Sequence, residues 1–116
     1  MNYFTEKEIN CRCGCGKTLD KDFLDKLNKA RERADIPFVI NSGARCEEYN
    51  KKVGGVKNSD HLYGCAVDIA YTNNRAFYRI VKSCIDEGID RFVFYKGFVH
   101  CGLSKHNIGE IMQVKD

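Results

Sequence analysis

The chain has 116 residues, enough for one modest hydrophobic core and too few for two, so a single domain over residues 1–116 is expected. A hydrophobic fraction of 43% with 7 Phe and 6 Tyr argues against a disordered chain. The net charge of +3, from 19 basic and 16 acidic residues interspersed along the chain, is too slight to point to nucleic acid, and no apolar stretch is long enough to insert in a membrane.

The opening segment MNYFTEKEIN lacks a basic region followed by an apolar run. No signal peptide is therefore expected, and synthesis in a cytosol, or removal of a leader, follows from that reading. Thr5 and Glu8 have the spacing of a capping box, which predicts a short helix opening at Thr5 and ending before Gly14 and Gly16. These glycines lie in CRCGCGK, with Cys11, Cys13 and Cys15 at alternate positions. Alternate residues of an extended strand face opposite ways and zinc ligands usually stand further apart, so a Gly-rich hairpin whose thiols are structural or incidental is the expectation and a metal site the alternative. The count of seven cysteines is odd; without a leader, reduced thiols are expected, with Cys65 and Cys84 buried as small apolar residues.

Asp20 can cap a second helix in which Phe23, Leu27, Ala30 and Ala34 recur at helical spacing. After Pro37, the run Phe38-Val39-Ile40 reads as a buried strand that delivers Ser42, Gly43 and Arg45 to its end. Residues Cys46 to Val53 suit one or two helical turns stopped by Gly54-Gly55, and Val56 to Gly64 reads as loop. A strand from Cys65 to Tyr71 would put Ala66, Asp68 and Ala70 on one face. Asn74 can cap a third long helix reaching about Glu87, with Phe77, Ile80, Val81, Cys84 and Ile85 as its stripe and Gly88 as its stop. Two short strands, Phe92 to Tyr95 and Phe98 to Cys101, would form a hairpin around Lys96-Gly97, and the tail with Ile111 and Val114 would add an edge strand. The fold class expected is α+β, helices packed on a small, largely antiparallel sheet.

The chemistry concentrates in Asn41 to Ile69, where His61 and Asp68 stand seven apart, and in His100 within FVHCGL. A histidine in an apolar strand is ordinarily a hydrogen-bonded core residue. Asp68 in CAVDIA, however, would cost several kcal/mol to desolvate without a cation or several hydrogen bonds, and Arg45 is one available partner. Two imidazoles and one carboxylate also form a three-ligand zinc set, which leaves a coordination position open as catalytic zinc does.

SGARCEEYNKKVGGVKNSDHLYGCAVDI followed by FVHCGL resembles the M15 family of zinc peptidases, in particular its small D-alanyl-D-alanine carboxypeptidase and phage endolysin branch, related in fold to the hedgehog signalling domain. The pattern of that family, SxxR, then SxHxxGxAxD, then a distal histidine after an apolar strand, is filled by Ser42 and Arg45, by Ser59, His61, Gly64, Ala66 and Asp68, and by His100. The resemblance implies Zn2+ held by His61, Asp68 and His100, with Arg45 at the developing oxyanion and Ser59 touching the peptide. It implies hydrolysis of peptidoglycan stem-peptide bonds by metal-activated water, by a monomer released to act on the cell wall. Carboxypeptidases of the family carry a glutamate three residues before the last histidine, and other relatives an acid two after it; here these positions are Gly97 and Gly102. The general base is thus unassigned, with Asp60, Tyr95 and His106 as candidates by proximity or type. The alternative is a zinc-containing cell-wall-binding module with weak or no turnover, and a thiol-rich redox or metal-storage protein built on CRCGCGK is a third reading.

Overall fold

The computed structural model describes residues 2–106 and 111–114. A short helix α1 (Glu6–Ile9) opens with the expected capping box: the Thr5 side chain accepts from the Glu8 amide, and Glu8 accepts from the amide of Thr5. After the cysteine loop, α2 (Lys21–Ala34) is capped by Asp20, whose carboxylate accepts from the Phe23 amide at 3.3 Å. Its buried residues are the four expected from spacing, Phe23, Leu27, Ala30 and Ala34. Each Phe or Leu buried this way contributes about 1.5–3 kcal/mol of transfer free energy.

Strand β1 (Val39–Ser42) is followed by α3 (Glu47–Lys52), then by a 3-10 turn Asp60–Tyr63 and strand β2 (Ala66–Ala70). Helix α4 (Asn74–Asp86) leads to the hairpin β3 (Arg91–Tyr95) and β4 (Phe98–Gly102), and β5 (Ile111–Val114) closes the series. The sheet order is β1-β2-β4-β3-β5; the first four strands are antiparallel neighbours, and β5 lies parallel to β3 at the edge.

Alternation along the strands sorts the two faces. Val67 and Ile69 of β2, Val99 and Cys101 of β4 and Phe92 of β3 join the core with Phe23 and Leu27 of α2 and Ile80 and Cys84 of α4. The residues between them, Asp68, His100 and Val93, stand in register across three strands on the opposite face. Helices α2 and α4 therefore cover one face of the sheet and leave the other to the polar site.

Several boundaries differ from expectation for local reasons. Strand β1 is an edge strand whose Val39 is 58% exposed, so it is buried on one side only. The loop before β2 contains the 3-10 turn, capped by Ser59 and stopped by Gly64 at φ 68°, where a Cβ would meet the backbone of Thr18 and Asp20. The cap of α4 is Asn73 rather than Asn74, because the Asn73 side-chain Oδ1 accepts from the Ala76 amide at 2.8 Å. On that helix Ser83 is buried, its hydroxyl bonded back to the Ile80 carbonyl, while Ile85 is exposed.

Candidate metal centre

Register alone brings two of the polar residues together. Asp68 and His100 are paired across β2 and β4, and Ser42 pairs with Asp68 from the other side. The 3-10 turn adds His61 just ahead of β2; its ring is 5.0 Å from that of His100, edge to face. His61 Nε2 lies 3.2 Å from Asp68 Oδ1, and His100 Nδ1 lies 3.1 Å from the same oxygen. One donor atom from each of the three residues falls within 4.8 Å of the other two. A tetrahedral zinc ion with nitrogen and oxygen ligands has ligand-to-ligand edges of about 3.4 Å, so the donors stand near that spacing.

The outer partners decide which ring atoms carry lone pairs. His61 Nδ1 is 2.6 Å from the Gly43 carbonyl, which can only accept, so Nδ1 bears the proton and Nε2 is free to coordinate. His100 Nε2 is 3.0 Å from Asp60 Oδ2, which leaves Nδ1 pointing at Asp68. Two imidazole lone pairs and a carboxylate thus converge on one point, and a divalent cation satisfies all three. The residues present fit zinc.

Electrostatics agree with a charge-stabilised centre. With no metal between them, burial alone would raise the Asp68 pKa, but the hydrogen bonds with His100 and His61 that a metal would replace, then the charge of the two rings, hold it well below the usual carboxylate range. His100 is raised: burial opposes its protonated form, and the hydrogen bonds to Asp60 and Asp68 outweigh that cost.

Arg45 lies beside this centre. Its Nε donates to Ser42 Oγ at 3.0 Å, Nη1 donates to Asn50 Oδ1 at 3.1 Å, and Nη2 stands 3.6 Å from Asp68 Oδ2. Asp68 therefore faces the two histidines through one oxygen and the arginine through the other, so the two partners weighed from sequence coexist. Asn50 carries no motif signal that spacing would reveal, yet it is buried and donates to the Val56 carbonyl, tying the guanidinium to the glycine loop. A Cβ at Gly55 would collide with the Asn50 side chain.

Ser59 is buried, and its hydroxyl accepts from the His61 amide at 3.3 Å as the cap of the turn. Asp60 is a supporting residue: it is 3% exposed, and Oδ2 is engaged by both His100 and Arg91, the latter at 2.8 Å. His106 stacks on Tyr63 at 3.9 Å and does not line the cleft. Tyr95 does line it, with its pKa raised by burial and then by the charge of Asp68, so it holds its proton. The two glycines at the expected acid positions have structural causes. Gly97 takes φ 88° in the hairpin turn, and a Cβ on Gly102 would lie 2.7 Å from the Cys65 carbonyl oxygen.

The centre forms the floor of a cleft of about 430 Å³ whose walls include Gly54, Lys57, Asn58, Tyr95 and Phe98. Among the described residues its only carboxylates are Asp60 and Asp68, against the cations Arg45, Lys57 and Arg91. Such a cleft sets a metal-competent centre beside a fixed guanidinium, the two kinds of group that stabilise negative charge on a polarised carbonyl oxygen.

Comparison with curated proteins gives no match. Comparison with protein families gives one, described as Peptidase M15, over residues 2–102. That span holds all three metal-competent residues and Arg45, and on it the chain belongs to the M15 peptidase family.

Proposed function

We propose that the protein is a zinc-dependent peptidoglycan peptidase that cleaves stem-peptide bonds. The observation that carries this reading is the convergence of His61 Nε2, Asp68 Oδ1 and His100 Nδ1 at the floor of a cationic cleft, with Arg45 in contact with Asp68. Peptidases of this family are in general zinc-dependent, and the donor set fits that ion.

His61, Asp68 and His100 would hold the metal. When bound, zinc supplies a Lewis acid for the scissile carbonyl and lowers the pKa of a coordinated water to about 7. Arg45 offers two N–H groups anchored on Ser42 and Asn50 and a third toward the reacting centre, so its positive charge meets the oxyanion without reorganising. Ser59 sits at the cleft wall with its hydroxyl proton free to donate to the peptide, while its oxygen caps His61. Tyr95, neutral at physiological pH, adds a second donor. Lys57 and Arg91 favour a substrate bearing carboxylates, as the stem peptide does.

The test is mass-spectrometric detection of peptides released from purified peptidoglycan by the zinc-loaded protein, with His61→Ala alongside. Release by the wild type and none by the variant is expected, and the product masses name the bond. Stoichiometric zinc and affinity for wall fragments without release would replace the peptidase with a wall-binding module.

A further inference from the structure

The cysteines of the amino-terminal loop form a second cluster, and its fourth member comes from elsewhere in the chain. Cys11 Sγ lies 3.3 Å from Cys13 Sγ and 3.8 Å from Cys46 Sγ, and Cys13 and Cys46 are 3.6 Å apart. With Cys15, all four sulfurs fall within 4.8 Å of one another. All four are free thiols.

The objection that alternate residues face opposite ways fails because the segment is not extended. The Gly14 amide donates to the Cys11 carbonyl at 3.2 Å and the Cys11 amide to the Lys17 carbonyl at 2.8 Å, so the chain curls into a closed loop. Gly14 at φ 86° and Gly16 at φ 91° take left-handed conformations that turn the three thiols to one side. Cys46, the cap of α3, then closes the set from the segment next to Arg45.

We infer that Cys11, Cys13, Cys15 and Cys46 form a structural zinc site of four thiolates, which staples the amino-terminal loop to the segment carrying Arg45. The sulfur spacing supports a single tetrahedral ion: with Zn–S of about 2.3 Å the edge of the tetrahedron is about 3.8 Å. Bridged iron–sulfur clusters hold their cysteine sulfurs farther apart. Backbone N–H groups already face the sulfurs, from Cys46 to Cys11 Sγ and from Tyr49 to Cys46 Sγ, both at 3.4 Å. Such donors support thiolate ligands from outside the coordination shell.

Binding of a divalent ion releases the thiol protons to solvent. Four ligands close the coordination shell, so this ion has no open position for substrate.

Zinc analysis and cobalt substitution of the full chain test the assignment. Two zinc equivalents per chain are expected, and the cobalt form should show a near-ultraviolet sulfur-to-cobalt charge-transfer band. His61→Ala should lose one equivalent and keep that band. A Cys13→Ser, Cys15→Ser double variant should lose the band and keep cobalt at the histidine centre. The wild-type spectrum stands even if the double variant fails to fold. A wild-type protein without the band, with iron in place of zinc at the thiols, or with a mass deficit showing a disulfide among these cysteines, overturns the proposal.

Discussion

Replacing Asp60 with asparagine tests whether the metal centre is set from outside its ligands. The variant keeps the shape of the side chain and one oxygen acceptor, removes the charge and exchanges the other oxygen for an NH2 group. That charge sits on a residue 3% exposed and serves His100 Nε2 at 3.0 Å and Arg91 Nε at 2.8 Å. Its loss weakens the bond that orients His100 and makes Nδ1 a poorer donor. Removal of such a partner lowers metal affinity by about 10- to 100-fold, or about 1.4–2.8 kcal/mol. The Arg91 side chain is 18% exposed, so water can take over its hydrogen bonds and the fold should survive. Cobalt competition against a chelator measures the effect at the nitrogen and oxygen site, followed by the bands that lack sulfur charge transfer, with thermal melting as the fold control. An affinity within twofold of wild type in a folded variant would refute the argument that the Asp60 charge strengthens His100 as a ligand, since a neutral oxygen acceptor would then serve Nε2 as well.

Two further outcomes follow from the same geometry. Arg45→Lys should lower kcat by about 10²–10³-fold with zinc content unchanged, because one ammonium cannot hold Ser42 and Asn50 while reaching the oxyanion; a loss confined to KM would move Arg45 to ground-state binding. Metal removal should expose a pH dependence with two limbs. The raised His100 pKa contributes stability fully below about pH 6.5 and loses it as pH rises through the folded value, whereas the depressed Asp68 pKa contributes above about pH 3.9 and is lost as pH falls through its folded value. Melting of chelated protein should therefore decline from about pH 6.5 upward, and zinc should abolish that decline because the ligand form of His100 is the deprotonated one. A chelated protein whose melting is flat across that range speaks against the paired arrangement.

The long periodic segments were legible because their signals are local. The stripe of α2, its Asp20 cap and the hairpin at Lys96-Gly97 are written in neighbouring residues, and all three appear as read. His61 and Asp68 were legible from their spacing within a motif, Asp68 on its strand and His61 just before it, and His100 from the distal position it fills in the family resemblance. What escaped were partners supplied across the fold. Asn50 beside Arg45, Asp60 behind His100 and Cys46 among the amino-terminal thiols are each separated in sequence from what they touch, by 5, 40 and 35 residues. The alternation rule also misjudged CRCGCGK, because glycines with positive φ replaced the strand that the rule presumes.

The five residues Ser42 to Cys46 each hold a separate appointment: Ser42 receives Arg45 Nε, the Gly43 carbonyl fixes His61, the Ala44 amide donates to the Ile9 carbonyl, the Arg45 amide donates to the His61 carbonyl, and Cys46 joins the thiols. A Cβ on Gly43 would run into the backbone of Ile9. Inserting or deleting one residue here would shift every one of these pairings at once, so this stretch should be the least tolerant of length change in the chain. The segment around Val53 to Lys57, which walls the cleft with mostly exposed side chains, is held chiefly by local bonds, from the amides of Val53, Gly54 and Gly55 back to the end of α3 and from Asn50 to the Val56 carbonyl, so it can vary in length more readily. Variation in substrate range among chains of this architecture should accordingly be found in that wall, while the five-residue stretch keeps its length.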